Sequence, residues 1–181
     1  MRDRGRNPAT ASRREELYAA AVLEFGRALD RLAAGYETDP EKRRDLRQEI
    51  HFQLWRSLEG FDGRCSLKTW TFRVANNVST SYVTRERRMS ARFVGLEEIA
   101  ATALKESEAP DLDRQRSLER LSRLILKLKP LDRQIMISYL EDLDLASIAE
   151  ISGLSAANVA MKIHRIKNIL ARRFHEETED V

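Results

Sequence analysis

The feature that most constrains the fold of this chain is a sharp corner between two helical patterns at residues 145–173. A tight corner between helices needs a small residue where they cross and a residue that tolerates positive φ between them. Ala149 and Gly153 supply these properties, and Ser155 stands where the N-cap of the second helix is expected. The pattern therefore predicts a helix-turn-helix, in which a short helix orients a longer basic one.

The second helix of the corner combines an apolar stripe with a polar, basic remainder. A basic helix presented in this way suits the major groove of DNA, because cations neutralise phosphates and side chains near the helix N-terminus reach base edges. An ordinary helical hairpin with a solvated basic face has the same spacing, so this helix alone leaves both interpretations open. The residues predicted to pack recur at helical spacing: Val159, Ile163, Ile166 and Leu170.

Charge is unevenly distributed along the 181 residues. The formal net charge is only +3 although 34% of the residues are charged, and the small number of glycines, seven, points to helices with wide solvated faces. Acidic residues gather at 37–62, at 97–113 and at the C-terminal end, whereas basic residues gather at 85–92 and 162–173. This segregation is typical of a protein that meets one cationic and one anionic partner.

The composition argues against several classes of function. Cys65 is the single cysteine, which rules out an internal disulfide and argues against a cysteine-built metal site. No apolar run approaches the length of a membrane span, and no apolar segment follows the N-terminal arginines. We therefore expect a cytoplasmic protein without a cofactor, a bound metal or membrane insertion.

Hydrophobic periodicity predicts two helical regions with a patternless acidic stretch between them. The three helices of the first region are expected to begin at about Arg13, Glu41 and Leu67, and the third to end at about Arg88. The expected fold class is all-α, with two small helical domains joined by a flexible acidic linker. The predicted segments are a mobile N-terminal arm at 1–12, a helical domain at 13–92, a linker at 93–114 with a nascent turn at 96–104, a second helical domain at 115–175 and a solvated acidic tail at 176–181.

The second predicted helix has an acidic side that contains an aromatic residue. Asp45, Glu49 and Phe52 lie opposite its apolar stripe, with Gln48 at the border. A phenylalanine among carboxylates is either part of a second packing surface or a docking site for another protein. The pattern by itself does not decide between the two.

The third predicted helix combines aromatic residues, amides and a terminal cluster of arginines. A glycine-containing loop at 60–66 precedes it, and Ser66 is its expected N-cap. A surface that grips nucleic acid and holds unstacked bases requires this mixture of side chains. Trp70 and Phe72 equally suit a protein core, and for Trp70 the core is the favoured interpretation.

Short motifs occur in a fixed order along both regions. They are Asp45–Leu46–x–Gln48–Glu49 with Leu54–Trp55, the Phe61–x–Gly63 loop, Ser66–Leu67–Lys68–Thr69–Trp70–x–Phe72–Arg73–Val74–Ala75–x–Asn77, Leu128–Lys129–Pro130–x–x–Arg133, Ile148–Ala149–Glu150, Gly153–Leu154–Ser155 and Lys162–x–His164–Arg165. Each motif is modest, but their order and their separation by an acidic linker are specific. From about Leu17 to Phe174 the chain resembles the bacterial RNA polymerase sigma factors of the extracytoplasmic-function group.

This resemblance implies a sigma-two-like bundle in the first domain and a sigma-four-like helix-turn-helix bundle in the second. The implied partners are core RNA polymerase, promoter DNA and an anti-sigma factor, with no small-molecule substrate. The implied polymerase-binding residues are Asp45, Gln48, Glu49 and Phe52. Those implied to recognise and melt the minus-ten element are Phe61, Gly63, Arg64, Ser66, Lys68, Arg73, Asn76, Asn77, Ser81, Arg85 and Arg88. Those implied to read the minus-thirty-five element are Ser155, Ala156, Ala157, Asn158, Met161, Lys162, His164 and Arg165.

Two departures from the family pattern concern promoter preference. The family usually has an Arg-Asn pair followed by an Asp, where this chain has Asn76, Asn77 and Ser81. On the basic helix, residues 156–158 replace the commoner Gly-Thr type of opening, and Met161 adds an apolar tip that suits a thymine methyl group. The mechanism implied by the resemblance is capture of unstacked bases by binding energy, so the chain is not expected to be an enzyme.

Two alternative functions remain open at this point. A stand-alone helix-turn-helix regulator would use residues 1–95 for sensing or dimerisation and would bind an operator without polymerase. An enzyme would need a site built from residues such as Asp45, Glu49, His51 and Cys65, but His51 borders an apolar stripe and Cys65 has no predicted histidine partner. A scaffold that does not bind nucleic acid is disfavoured by the arginine cluster.

Overall fold

A computed structural model describes residues 8–93 and 112–179 of the chain. Within these two ranges all regular secondary structure is helical, as the sequence predicts. None of the helices in these ranges is long and apolar enough to cross a membrane. The nascent turn expected at 96–104 lies outside the described residues, as do most of the predicted linker and the first seven residues of the predicted arm.

The N-terminal half consists of three long helices and one short turn: α1 (Pro8–Ala34), α2 (Pro40–Ser57), a 3₁₀ turn (Leu58–Gly60) and α3 (Leu67–Phe93). Asp39 caps α2, because its Oδ1 accepts hydrogen bonds of 2.9 Å from the backbone N–H groups of Glu41 and Lys42. α1 begins at Pro8, five residues before the predicted start, and proline suits the first turn of a helix. α3 also continues past the predicted end at Arg88.

The core of the N-terminal half lies between these three helices. Leu29, Leu46 and Phe72 are almost completely buried, and the ring of Phe72 meets that of Phe25 edge to face at 6.3 Å. Trp70 is half-buried, and its Nε1–H donates to Ser57 Oγ at 3.0 Å. The core interpretation is therefore confirmed for Phe72, while Trp70 sits at the core's edge.

The C-terminal half consists of α4 (Leu112–Leu126), α5 (Pro130–Leu140), α6 (Leu145–Ser152) and α7 (Ala156–Glu179). α4 begins inside the predicted linker, and α7 extends through most of the predicted acidic tail. The motif residue Arg133 joins two of these helices: it lies in α5, and its guanidinium donates to the carbonyl groups of Leu126, the last residue of α4, and of Leu128 in the loop that follows.

The predicted helix-turn-helix is confirmed as α6 and α7. Gly153 adopts φ 72°, and its N–H donates to Ala149 O at 2.9 Å, which ends α6 in the left-handed conformation that glycine favours. Ser155 Oγ accepts from Asn158 N at 3.3 Å and caps α7. The predicted apolar stripe of α7 is buried from Val159 to Leu170.

The two halves pack against each other, a contact that the expectation of two linked domains did not include. We call this contact the seam: one side of α3 packs against α5 and α6, and Arg31 near the end of α1, with Gly35 and Tyr36 just after it, completes the contact. The approach is close at Gly35, where an added Cβ would lie 2.7 Å from Ile137 Cδ1. The polar side of α7 remains exposed and takes no part in the seam contacts described below.

Candidate functional site

The acidic surface of α2 is built from Asp45, Gln48, Glu49 and Phe52. Phe52 is 52% exposed, and among described residues its ring is approached by the guanidinium of Arg56 at 5.5 Å from the centroid. Within the described chain this phenylalanine is not part of a second packing surface. An exposed aromatic ring among carboxylates is suited to docking a protein with basic and apolar groups.

The outer face of α3 carries four of the candidate nucleic-acid residues: Asn77, Ser81, Arg85 and Arg88. All four are exposed, and they follow each other along one side of the helix. A groove of about 430 Å³ between α2 and α3 is lined by residues of both candidate surfaces, including Glu49, Asn77 and Arg85. The two surfaces therefore adjoin.

The opposite side of α3 faces the seam and holds Asn76, which is 0% exposed. Its Nδ2 donates to Phe72 O at 2.9 Å and to Ser138 Oγ at 3.3 Å, and its Oδ1 accepts from Tyr36 OH at 3.0 Å. In this structure Asn76 cannot contact nucleic acid, which corrects its expected place on the exposed minus-ten surface. The physical reason is that the seam satisfies both the donor and the acceptor of a buried amide.

Two candidate cations of the same surface are also engaged at the seam. Arg73 Nη1 lies 2.7 Å from Glu150 Oε1, and the guanidinium stacks over Trp70 at 4.7 Å from a ring centroid. Lys68 Nζ donates to the carbonyl oxygen of Asp142 at 3.0 Å. Both side chains are half-buried, so they are less accessible than the outer face.

The loop before α3 places the remaining minus-ten candidates. Gly63 has φ 79° and is exposed, and Arg64 pairs with Asp62 through Nε and Oδ2 at 2.8 Å. Ser66 is confirmed as the N-cap, because its Oγ accepts from Thr69 N at 3.0 Å. Phe61 is half-buried and packs its ring against Trp70 rather than pointing freely into solvent.

The start of α7 presents most of its candidates to solvent: Ser155, Ala156, Ala157, Asn158, Met161, His164 and Arg165 are exposed. Lys162 differs, because its Nζ lies 2.7 Å from Asp132 Oδ1 of α5 and its side chain is only 30% exposed. Asp132 is itself buried and needs a cationic partner. In this structure the ammonium of Lys162 is therefore paired within the protein, whereas the resemblance places this residue among those that read the minus-thirty-five element.

The residues considered for an enzymatic site face different elements. His51 Nδ1 lies 3.1 Å from Tyr18 OH of α1, and burial followed by the charge of Arg47 lowers the pKa of this histidine. Cys65 lies beside Arg73 at the seam, and its pKa is raised by burial and then by Glu150. A raised pKa makes a thiol a poorer nucleophile.

Sequence reasoning missed the residues that complete the seam. Tyr36 and Ser138 hydrogen-bond to the side-chain amide of Asn76. The guanidinium of Arg31 makes a bidentate ion pair with the carboxylate of Glu141, with distances of 2.8 and 2.5 Å. Burial raises the pKa of Tyr36 to about 12. No local spacing could have found these contacts, because they join residues far apart in the chain.

Two family models match the chain. The model described as sigma-70 region 2 matches residues 21–89, and that described as sigma-70 region 4 matches residues 118–170. These ranges fall within the N-terminal and C-terminal halves, respectively, and together cover most of the described chain.

Curated relatives and solved structures agree with these matches. The chain is 23% identical to the ECF RNA polymerase sigma factor SigW of Bacillus subtilis over 143 residues, covering 73% of this chain and 75% of that protein. It is 28% identical to the ECF RNA polymerase sigma-E factor of Haemophilus influenzae over 137 residues, covering 71% and 72%.

Two solved structures share the fold. The sigma factor RpoE in complex with the anti-sigma factor NepR, from Bartonella quintana, aligns with a TM-score of 0.65 at 18% identity, covering 88% of this chain and 96% of that one. CnrH in complex with the cytosolic domain of CnrY aligns with a TM-score of 0.67 at 18% identity, covering 93% and 94%.

Proposed function

Because this chain belongs to the sigma-70 family of RNA polymerase sigma factors, in the extracytoplasmic-function group, we propose that it directs core RNA polymerase to specific promoters and helps to melt them. Sigma factors are regulatory rather than catalytic, so the chemistry of transcription belongs to the polymerase. The action of the chain is then in the cytoplasm, where bacterial transcription takes place.

The polymerase contact is assigned to the acidic surface of α2. The observation that carries this assignment is Phe52, an exposed aromatic ring beside Asp45 and Glu49. The support comes from the combination of groups, because this ring and the carboxylates line one cavity together with Tyr82, and apolar surface rimmed by polar groups is typical of an interaction site. A basic partner surface would complement the carboxylates and would also speed association.

Promoter contacts are divided between the two halves. The outer face of α3 and the loop before it supply the minus-ten contacts, and the exposed start of α7 supplies the minus-thirty-five contacts, with Asn158 and Arg165 able to hydrogen-bond base edges. Lys162 then positions α7 through Asp132 instead of reading a base. Two weak DNA contacts held on one polymerase gain affinity from effective concentration.

Melting is proposed to follow from binding energy. Opening a base pair loses stacking and pairing, and capture of an unstacked base by aromatic and amide groups offsets part of that loss. The groove between α2 and α3, with Asn77 and Arg85 in its walls, offers polar groups and about 430 Å³ of space beside the outer face. No hydrolytic step by this chain is required.

An anti-sigma factor is the further proposed partner. Both structural neighbours named above were solved in complexes, one with a protein described as an anti-sigma factor. A protein that covers the acidic surface or the DNA-binding faces would keep the chain from polymerase or promoter. This proposal is checked by testing whether such a partner competes with core polymerase for the chain.

The decisive experiment is run-off transcription with core polymerase on a promoter library. Asp45→Arg is expected to abolish core binding, because it reverses the charge beside Phe52. Glu24→Arg is the matched control, since Glu24 is exposed on α1 and takes the same charge change away from the acidic surface. Equal transcription by the wild type and Asp45→Arg would show that the docking surface is elsewhere.

Asn77→Ala tests the minus-ten contact separately. This exposed amide lies outside the seam, so core binding should remain. Promoter opening, measured by the permanganate reactivity of unpaired thymines, should fall.

The alternative function, a stand-alone regulator, predicts that the purified chain binds specific DNA without polymerase and gives a sequence-specific gel shift. Family membership favours the sigma factor over that alternative.

A further inference from the structure

The exposed side of α7 has a row of residues directly opposite its buried stripe. The stripe packs against the other helices of the C-terminal half, so the residues half a turn away from it face solvent. We call this row the central line, and its members are all exposed: Ala157, Met161, His164 and Asn168. When a helix lies in the major groove, the side chains farthest from the protein core are those nearest to the base edges.

The cations of α7 lie beside the central line and not on it. Arg165 and Lys167 are exposed on its two flanks. Lys162 is turned further towards the protein, where its ammonium lies 2.7 Å from Asp132 Oδ1. Flanking cations suit the phosphates that form the walls of the groove. Guanine is commonly recognised by a bidentate arginine or a lysine, and the central line contains neither.

Met161 is the largest apolar side chain of the central line. It is 65% exposed, and its neighbours Ala157 and Ala160 are exposed residues whose side chains end at Cβ. The methionine therefore stands above the surface around it. Its unbranched, polarisable thioether adapts to the shape of a small apolar partner. Covering it would remove apolar surface from water, which is favourable.

The major groove offers one kind of apolar group to such a side chain, the C5 methyl group of thymine. The other three bases present only hydrogen-bond donors and acceptors there, and a thioether is at best a weak acceptor. The polar residues farther along the central line are close to each other, with His164 Nδ1 and Asn168 Nδ2 3.5 Å apart. Met161 is thus the member of the line with a partner of its own chemistry in the groove.

We propose that Met161 determines specificity for the minus-thirty-five element by contacting the 5-methyl group of one pyrimidine, which is thymine in unmodified DNA. This inference rests on the proposed function, because it places the start of α7 in the major groove. The contact selects the methyl group and not the base-pairing edge. 5-Methylcytosine therefore satisfies it as thymine does, whereas cytosine and uracil do not. The flanking cations add affinity without base preference.

The test uses holoenzyme assembled from core RNA polymerase and the full chain, on templates with a randomised minus-thirty-five region. Templates selected by run-off transcription are expected to share a thymine. Replacing this thymine by deoxyuridine removes only the methyl group and should weaken template binding by about fourfold, the effect of burying one such group. A cytosine at that position should also weaken binding, and 5-methylcytosine should bind about fourfold more tightly than cytosine.

Met161→Gln identifies the side chain that is responsible. Glutamine is also unbranched and of similar length, but it places an amide where methionine has its apolar tip. Thymine and deoxyuridine templates should therefore bind this variant equally. Leu23→Gln is the matched control, because Leu23 is 90% exposed on α1 and takes the same apolar-to-amide change. Holoenzyme with this control should keep the preference for thymine over deoxyuridine.

Three results would overturn the proposal. The first is a selected element at which wild-type holoenzyme binds thymine and deoxyuridine equally, or which contains no thymine. The second is a methyl preference that persists in Met161→Gln, and the third is loss of core binding in that variant, which would place Met161 at a protein interface. Failure of the wild type to select any promoter would refute the proposed function itself, whereas selection without a methyl preference refutes only this inference.

Discussion

Replacing Lys162 by methionine tests whether this residue positions α7 or reads DNA. The substitution keeps an unbranched side chain about as long as the aliphatic stem of lysine but removes the ammonium that lies 2.7 Å from Asp132 Oδ1. Asp132, with a side chain only 12% exposed, would be left without its cation. The pair lies between the exposed and the buried extremes, so we expect a loss of about 1–3 kcal/mol in the free energy of unfolding.

The assay is urea denaturation of the full chain, combined with a double-mutant cycle. Asp132→Asn removes the buried charge, so the double variant Lys162→Met/Asp132→Asn should recover much of the stability lost in Lys162→Met. Arg165→Met is the matched control, because Arg165 is exposed three positions further along α7. It should change the free energy of unfolding by less than about 0.5 kcal/mol while weakening minus-thirty-five binding.

One pattern of results would refute this reasoning. If Lys162→Met left the free energy of unfolding unchanged and weakened minus-thirty-five binding as much as Arg165→Met, Lys162 would face DNA in solution. The pairing with Asp132 would then not describe the state that binds the promoter.

Two further predictions concern the seam and the corner. Burial raises the pKa of Tyr36 from 10.0 to about 12. The neutral phenol therefore stabilises the folded state below pH 10, by up to about 3 kcal/mol relative to the ionised form. This contribution is lost as the pH rises from 10 to about 12. Comparing urea midpoints of the wild type and Tyr36→Phe across this range isolates the effect, since the phenylalanine variant lacks that titration and should show a shallower decline. Gly153→Ala puts a Cβ at φ 72° and should lower the free energy of unfolding by about 1–2 kcal/mol. Gly60→Ala is the control, because an added Cβ there meets no atom within 4 Å; it should lower the free energy of unfolding by less in the same assay.

Local signals in the sequence were sufficient to predict the helices and the helix-turn-helix of α6 and α7. Gly153 and Ser155 predicted the turn because a left-handed residue and an N-cap depend on neighbours a few positions away. The all-helical architecture followed from hydrophobic spacing for the same reason. Helix ends were less accurate, since α1 and α3 extend beyond the segments with clear periodicity.

Contacts between distant parts of the chain explain what the sequence did not reveal. Asn76 bonds to Ser138 across 62 positions, and Lys162 pairs with Asp132 across 30. Periodicity assigns a residue to a face of its own helix but does not say what covers that face. An amide and a lysine that suit DNA are therefore indistinguishable, in sequence, from an amide and a lysine that suit a buried partner.

The groove between α2 and α3 has a consequence for how promoter preference can change. Glu49, Tyr82 and Arg85 line both this groove and the adjoining cavity beside the acidic surface. If one cavity contacts polymerase and the other contacts DNA, a substitution of Arg85 that changes base preference also changes the surface that binds polymerase. Substitutions that change promoter preference should then occur at residues remote from this shared wall, such as those at the start of α7. A change there alters DNA contacts without altering the polymerase contact.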